Sequence, residues 1–187
     1  MVFFTFGEII DVILMTVATG YIFMDMFKRP SDSDDPVEAY RQQHSKKEKF
    51  LYAVMLIAPA IILHELGHKF VAMAYGLQAT FHAAYTWLGA GVLLKLIGFP
   101  FLIIVPAYVS TIGATASQTI WIAAAGPLVN GALYLISRYM ASQSKTRQKV
   151  TFWRFSQYIN GFLFVFNFIP IPGFDGHSFF SNLLTIL

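Results

Sequence analysis

Residues 50–75, FLYAVMLIAPAIILHELGHKFVAMAY, form an apolar run long enough to cross a bilayer as a helix, yet the run carries His64, Glu65, His68 and Lys69. A spanning helix needs about 20 predominantly apolar residues to cross roughly 30 Å of hydrocarbon. Backbone in hydrocarbon must satisfy its own hydrogen bonds, so segments of this kind are expected as helices. Three further runs, about 9–27, 119–136 and 155–171, read the same way. The expectation is an all-α transmembrane bundle of about four spans in one domain, residues 1–187, with a core over about 50–180 and residues 1–27 as an additional N-terminal span. Composition agrees: 56% of residues are hydrophobic and 12% charged, against about 25% charged in an ordinary soluble domain. The net charge of +3 comes from basic residues beside apolar runs. The lipid bilayer is therefore the expected partner, not nucleic acid. With no cysteine in the chain, a disulfide framework and a thiolate metal site are excluded. No cleavable signal peptide is expected, because the chain opens Met1-Val2-Phe3 without a basic region and then carries Glu8 and Asp11.

The ionisable residues of the second run have a specific chemical reading. Asp, Lys and Arg at the centre of a spanning helix cost about 2.5 to 3.5 kcal/mol each on insertion scales. Ionisable groups at such depth are candidates for function by default. On a helix, His64 and His68 stand at i and i+4 and share a face. Two imidazoles can then hold one zinc ion, with Glu65 one step round and able to act as general base on a bound water. Zinc lowers the pKa of such a water to about 7. The bland alternative is two helix histidines making ordinary polar contacts.

A zinc site needs a third ligand. Val71 and Ala74 stand where the extended metzincin motif requires glycine and histidine, so that class is excluded. Downstream of His68 the only acid is Asp175, in PIPGFDG. Alone it reads as an Asp-Gly turn leaving the membrane. Beside HELGH it is the best candidate ligand, with the prolines breaking the last span and turning the carboxylate back. His177 fits a supporting partner or a surface residue, and His82 fits a loop histidine. Asn130 and Asn167 each suit either a donor to a developing oxyanion or a hydrogen bond between helices. The bland reading is preferred for Asn130, and Asn167 is balanced between the two. Ala125, Gly126 and Gly131 suit close helix approach.

Residues 77–116 are apolar but punctuated by Gly98, Pro100 and Pro106 and include Lys95. These breakers favour a membrane-embedded β-hairpin over about 79–108. A fifth, kinked span is the alternative. Non-helical backbone at that depth requires protein or a wet cavity around it.

Three motifs in order, HELGH at 64–68, AAAGPLVN at 123–130 and NFIPIPGFDG at 167–176, resemble the core of the site-2 protease family of intramembrane zinc metalloproteases. The resemblance covers about residues 50–180. It implies one Zn²⁺ held by His64, His68 and Asp175, with Glu65 as catalytic base. Asn167 matches the asparagine that opens the family's last motif, eight positions before the aspartate, which implies a substrate-binding or transition-state role. The resemblance also implies that the hairpin takes a transmembrane protein substrate as an added strand. Gly173 departs from the family pattern, which often has proline there, and this puts the stiffness of the turn in doubt. No PDZ or CBS module is evident in these residues.

Orientation is left open by two arguments that disagree. Residues 28–49 and 137–154 hold eleven of the thirteen Lys and Arg residues. With four spans the positive-inside rule places both loops in the cytosol. The family resemblance implies the opposite. Three functions compete: a membrane-embedded zinc endopeptidase, a metal-ion transporter, and a non-catalytic binding protein of the same fold. A transport pathway should show ligands at several depths, whereas these can converge on one site. A non-catalytic relative has no need of the base and all three ligands.

Overall fold

The computed structural model describes residues 3–31, 44–99 and 106–187. Among these residues the order is α1 (Phe6–Phe23), α2 (Lys46–Ala74), β1 (Gln78–Ala83), α3 (Tyr85–Leu96), β2 (Ala107–Ile112), α4 (Ala116–Gln143), α5 (Arg147–Asn167) and α6 (Asp175–Ile186).

Local chemistry sets the helix ends. Thr5, Ser45 and Thr115 each accept from the backbone N–H three residues on, and Glu8, Glu48 and Gln118 reach back to the cap N–H. These are capping boxes, which satisfy two otherwise orphaned donors at each helix start. α2 ends at Ala74, and just beyond it Gly76, with φ 77°, takes the left-handed conformation that favours glycine. There the Leu77 N–H donates to Ala72 O at 3.1 Å and the Gly76 N–H to Met73 O at 2.9 Å.

α1, α2 and α4 are long and apolar enough to cross a membrane. The expected fourth run divides differently. Its helix, α5, starts earlier at Arg147 and stops at Asn167, leaving residues 168–171 in a turn. Arg147, Lys149 and Arg154 occupy the first turns of α5, which is less apolar than the three helices fit to cross a membrane. The basic loop expected over 137–154 shrinks to residues 144–146, because Lys, Arg and Gln continue a helix as readily as apolar residues do.

The stretch 77–116 is partly as expected and partly not. β1 and β2 pair antiparallel, Gln78 opposite Ile112 through to Ala83 opposite Ala107. Between them lies α3, a 12-residue helix where a hairpin was expected. The breakers that argued against a helix, Gly98 and Pro100, fall after it, and four leucines among the twelve residues of Tyr85–Leu96 carry the helix past Gly89 and Gly91. At about 1.5 Å per residue α3 is roughly 18 Å long, too short for the fifth span. Residues 100–105 of the expected hairpin lie outside the described residues, as does most of the polar loop at 28–49.

The core lies where α1, α2 and the sheet meet: Met15, Tyr52, Leu56, Ile61, Phe81 and Leu88 are all buried. α2 is the central element, packing on α1, α4, α5 and both strands. Gly67 brings α2 against α4, since a Cβ there would lie 3.0 Å from Ala125 O. Gly131 does the same between α4 and α5, with a Cβ 3.1 Å from Phe164.

Candidate metal centre

The buried face of α2 presents His64 and His68 one turn apart, each 6% exposed. Asp175 comes to them from the far end of the chain. α5 stops at Asn167, and residues 168–174, with Pro170 and Pro172, turn back before α6 begins at Asp175. Gly173 has φ 97°. Proline, locked near −65°, cannot take that conformation, so this turn is built on glycine. Gly176 lets the chain fold under the end of α5, since a Cβ there would lie 2.6 Å from Ile169 O. The Asp175 carboxylate sits in the first turn of α6, where the helix dipole favours negative charge.

The three side chains converge on one point. His64 Nε2 is 3.1 Å from His68 Nε2 and 3.1 Å from Asp175 Oδ2, and His68 Nε2 is 3.3 Å from Asp175 Oδ1. Tetrahedral zinc with ligands at about 2.0–2.1 Å would hold neighbouring ligand atoms about 3.3–3.4 Å apart. The observed triangle matches that spacing.

The outer nitrogens of the rings explain why the triangle is a cation site. His68 Nδ1 lies 2.6 Å from the carbonyl oxygen of Ile122, which can only accept. His64 Nδ1 lies 2.5 Å from Asn130 Oδ1. The amide orientation of Asn130 is fixed by its other end, where Nδ2 donates to Ala60 O at 3.1 Å and to Asn160 Oδ1 at 2.9 Å. In their neutral form both rings therefore carry the proton on Nδ1 and turn both Nε2 lone pairs towards a carboxylate. Three acceptors at 3.1–3.3 Å repel one another unless a cation lies between them. Hydrogen bonds of this outer kind orient metal-ligating histidines generally. Gly126 completes the cradle, since a Cβ there would lie 2.7 Å from His64 Nε2. His64, His68 and Asp175 can thus hold one metal ion.

A cavity of about 570 Å³ opens onto this cluster. Glu65 and Asn167 both line it, as do Ala107, Val109 and Thr111 of β2. Among the described residues nothing hydrogen-bonds the Glu65 carboxylate, which leaves it available to a water or substrate. Of the other candidates, His177 is exposed. His82 lies on β1, not in a loop, 3.0 Å from Ser110 Oγ and against the Tyr108 ring. Neither belongs to the metal cluster. Asn130 was underestimated by sequence reasoning. It does bridge helices, but its Oδ1 also sets the tautomer of His64. Its fixed spacing after Gly126, which faces the same histidines, was the available signal.

No family model matches the chain, and no solved structure does. A protein of Methanocaldococcus jannaschii named "Putative zinc metalloprotease MJ0611" is 35% identical to it over 132 residues, which is 69% of this chain and 69% of that one. At that identity and coverage, and with this centre in place, the chain belongs to the same family of zinc metalloproteases as the archaeal protein.

Proposed function

We propose that the protein is a membrane-embedded zinc endopeptidase of the site-2 protease type, cutting peptide bonds in or near the transmembrane segments of other proteins. The observation that carries this reading is the convergence of three acceptors, His64 Nε2, His68 Nε2 and an Asp175 oxygen, beside a carboxylate that nothing else engages. His64, His68 and Asp175 hold the zinc. When bound, it supplies Lewis acidity and lowers the pKa of a coordinated water.

Glu65 is the general base and later returns a proton to the leaving amine. Asn167, on the cavity wall at the end of α5, donates its amide to the developing oxyanion. The cavity wall and the apolar helices around it keep bulk water from the carboxylate of Glu65. α1, α2 and α4, each long and apolar enough to span, support a bilayer location; in this reading α5 and the turn after it make the fourth crossing. A helical substrate shields its peptide bonds with its own hydrogen bonds, so it must unwind and lie extended beside the two-stranded sheet.

The test is to incubate the purified chain and its Glu65→Gln variant, each loaded with zinc, with a panel of single-span substrates. Glu65→Gln keeps the shape of the site and should keep the metal. Cleavage should fall to near background while the zinc content is unchanged. Undiminished cleavage by Glu65→Gln would sink the mechanism. Zinc flux into proteoliposomes without cleavage would point to a transporter instead.

A further inference from the structure

Each strand of the sheet has an outer edge, and the two edges are treated differently. The Phe81 N–H donates to Glu8 Oε1 at 2.8 Å and the Ala83 N–H to Asp11 Oδ2 at 3.2 Å. These are alternate residues, so their main-chain groups point the same way, and both point at α1. The Ala84 N–H, of opposite parity, donates across to Pro106 O at 3.0 Å. Gln78, Thr80 and His82 therefore face β2, and their partners Ile112, Ser110 and Tyr108 face back. By the same parity, the main-chain groups of Ala107, Val109 and Thr111 point outward from β2. Among the described residues nothing pairs with them, and all three residues line the cavity that holds the metal cluster.

The carboxylates on α1 are also tied to the metal-binding helix. Glu8 is 2% exposed and Lys69, the neighbour of His68, is 1% exposed. Lys69 Nζ donates to the same Glu8 oxygen that takes the Phe81 N–H. Asp11 also accepts from the Tyr85 hydroxyl at the start of α3. One side chain thus couples the position of β1 to the residue beside a metal ligand, and a second anchors the end of the strand.

We propose that Glu8 and Asp11 are positioning residues: their carboxylates stand in for a third strand on β1, and, with Glu8 tied to Lys69 and Asp11 to the start of α3, they hold the open edge of β2 in register with the metal centre. The proposal rests on the peptidase reading for the identity of the occupant. The strand edge then fixes which peptide bond of an extended substrate reaches the zinc. A strand repeats every two residues, so a loosened sheet lets substrate slip to other registers.

The chain has no cysteine, which permits a clean trapping experiment on all 187 residues of it. The probe is a synthetic single-span Leu/Ala peptide of about 25 residues, with a central Gly-Pro pair and one cysteine moved stepwise along it. In a Glu65→Gln background, Thr111→Cys should form a disulfide with one peptide position, and Thr80→Cys with none. Asp11→Leu should let off-register positions rise from below about a tenth of the main product to comparable yield, as expected when a charge-assisted hydrogen bond is lost. The double change Glu8→Leu with Lys69→Met removes both the acceptor of the Phe81 N–H and the link to α2, and should do the same without leaving a buried charge unpaired. Asp11→Asn keeps an acceptor for Ala83 and should retain the single register. Zinc content should be unchanged throughout.

Trapping at Thr80→Cys in place of Thr111→Cys, an unbroken single register in both disruptive variants, no trapping at all, or loss of zinc would each overturn the proposal. Cleavage of the cysteine-free peptide by the chain with Glu65 intact is scored separately. Cleavage without trapping removes the edge assignment and leaves the peptidase reading. Trapping without cleavage does the reverse.

Discussion

Replacing Asn130 by leucine removes one hydrogen-bonding side chain and keeps its branched outline with slightly larger ends, at a site that is 0% exposed. Three groups lose a partner: the His64 Nδ1–H, Ala60 O and Asn160 Oδ1. They are not equivalent. Ala60 O also sits in the hydrogen-bond ladder of α2, and Asn160 keeps its own donation to Ser156 O at 2.8 Å. His64 loses the acceptor that fixes its tautomer and ring angle. An unsatisfied buried polar group costs about 1–3 kcal/mol, so the melting temperature without metal should fall. Loss of such an outer hydrogen bond typically weakens metal binding about 10–100-fold, which is about 1.4–2.7 kcal/mol. The assay is competition for zinc against a chromogenic chelator, on protein shown to be folded at the working temperature. Asn130→Asp separates the two effects. It still offers His64 an acceptor but sets its second oxygen against Ala60 O and Asn160 Oδ1, so stability should fall while zinc affinity stays near that of the native chain. A zinc Kd for Asn130→Leu within about twofold of the native value would refute the orienting role, because the effect expected is at least about tenfold.

Asp175→Ala should lower zinc occupancy, whereas His82→Ala should leave it unchanged; metal analysis after gel filtration decides, and the reverse pattern would move the third ligand to β1. Gly126→Ala should displace both imidazoles, because the new methyl would lie 2.7 Å from His64 Nε2; zinc binding should fail while circular dichroism still reports a helical protein. On the substrate side, Gly costs about 0.8 to 1.0 kcal/mol relative to Ala inside a helix and Pro about 3. Placing either near the scissile bond should speed cleavage, and replacing them with Leu or Ala should slow it; equal rates would argue that peptides reach the site already unwound.

The legible parts of the sequence were those where a residue type conflicts with its surroundings. His64, Glu65 and His68 in an apolar run, and Asp175 as the sole acid after them, stand out because charge in hydrocarbon needs a reason. Asn130 does not stand out in that way. An amide between helices reads the same whether it bonds a carbonyl or a ligand ring, and only the fold shows which. The helix α3 was hidden because Gly98 and Pro100 follow it closely, Gly89 and Gly91 weaken its own helical signal, and hydropathy does not separate a short apolar helix from a strand. The helix ends at Gln143 and Arg147 were missed for a related reason: an apolar run marks where a segment is buried, while Lys, Arg and Gln carry the helix beyond it. Glu8 and Asp11 look from sequence like stray acids in the first span, since their partners Phe81 and Ala83 lie some seventy positions away.

The buried Lys69–Glu8 pair also bears on how the chain enters a membrane. In a bilayer, α2 alone would carry a cation near its end and α1 alone an anion in its first turn, each of which would otherwise have to reach for the interface. Together they present a neutral, hydrogen-bonded contact. α1 and α2 would thus be better solvated by each other than by lipid, which favours their entering the bilayer as a pair.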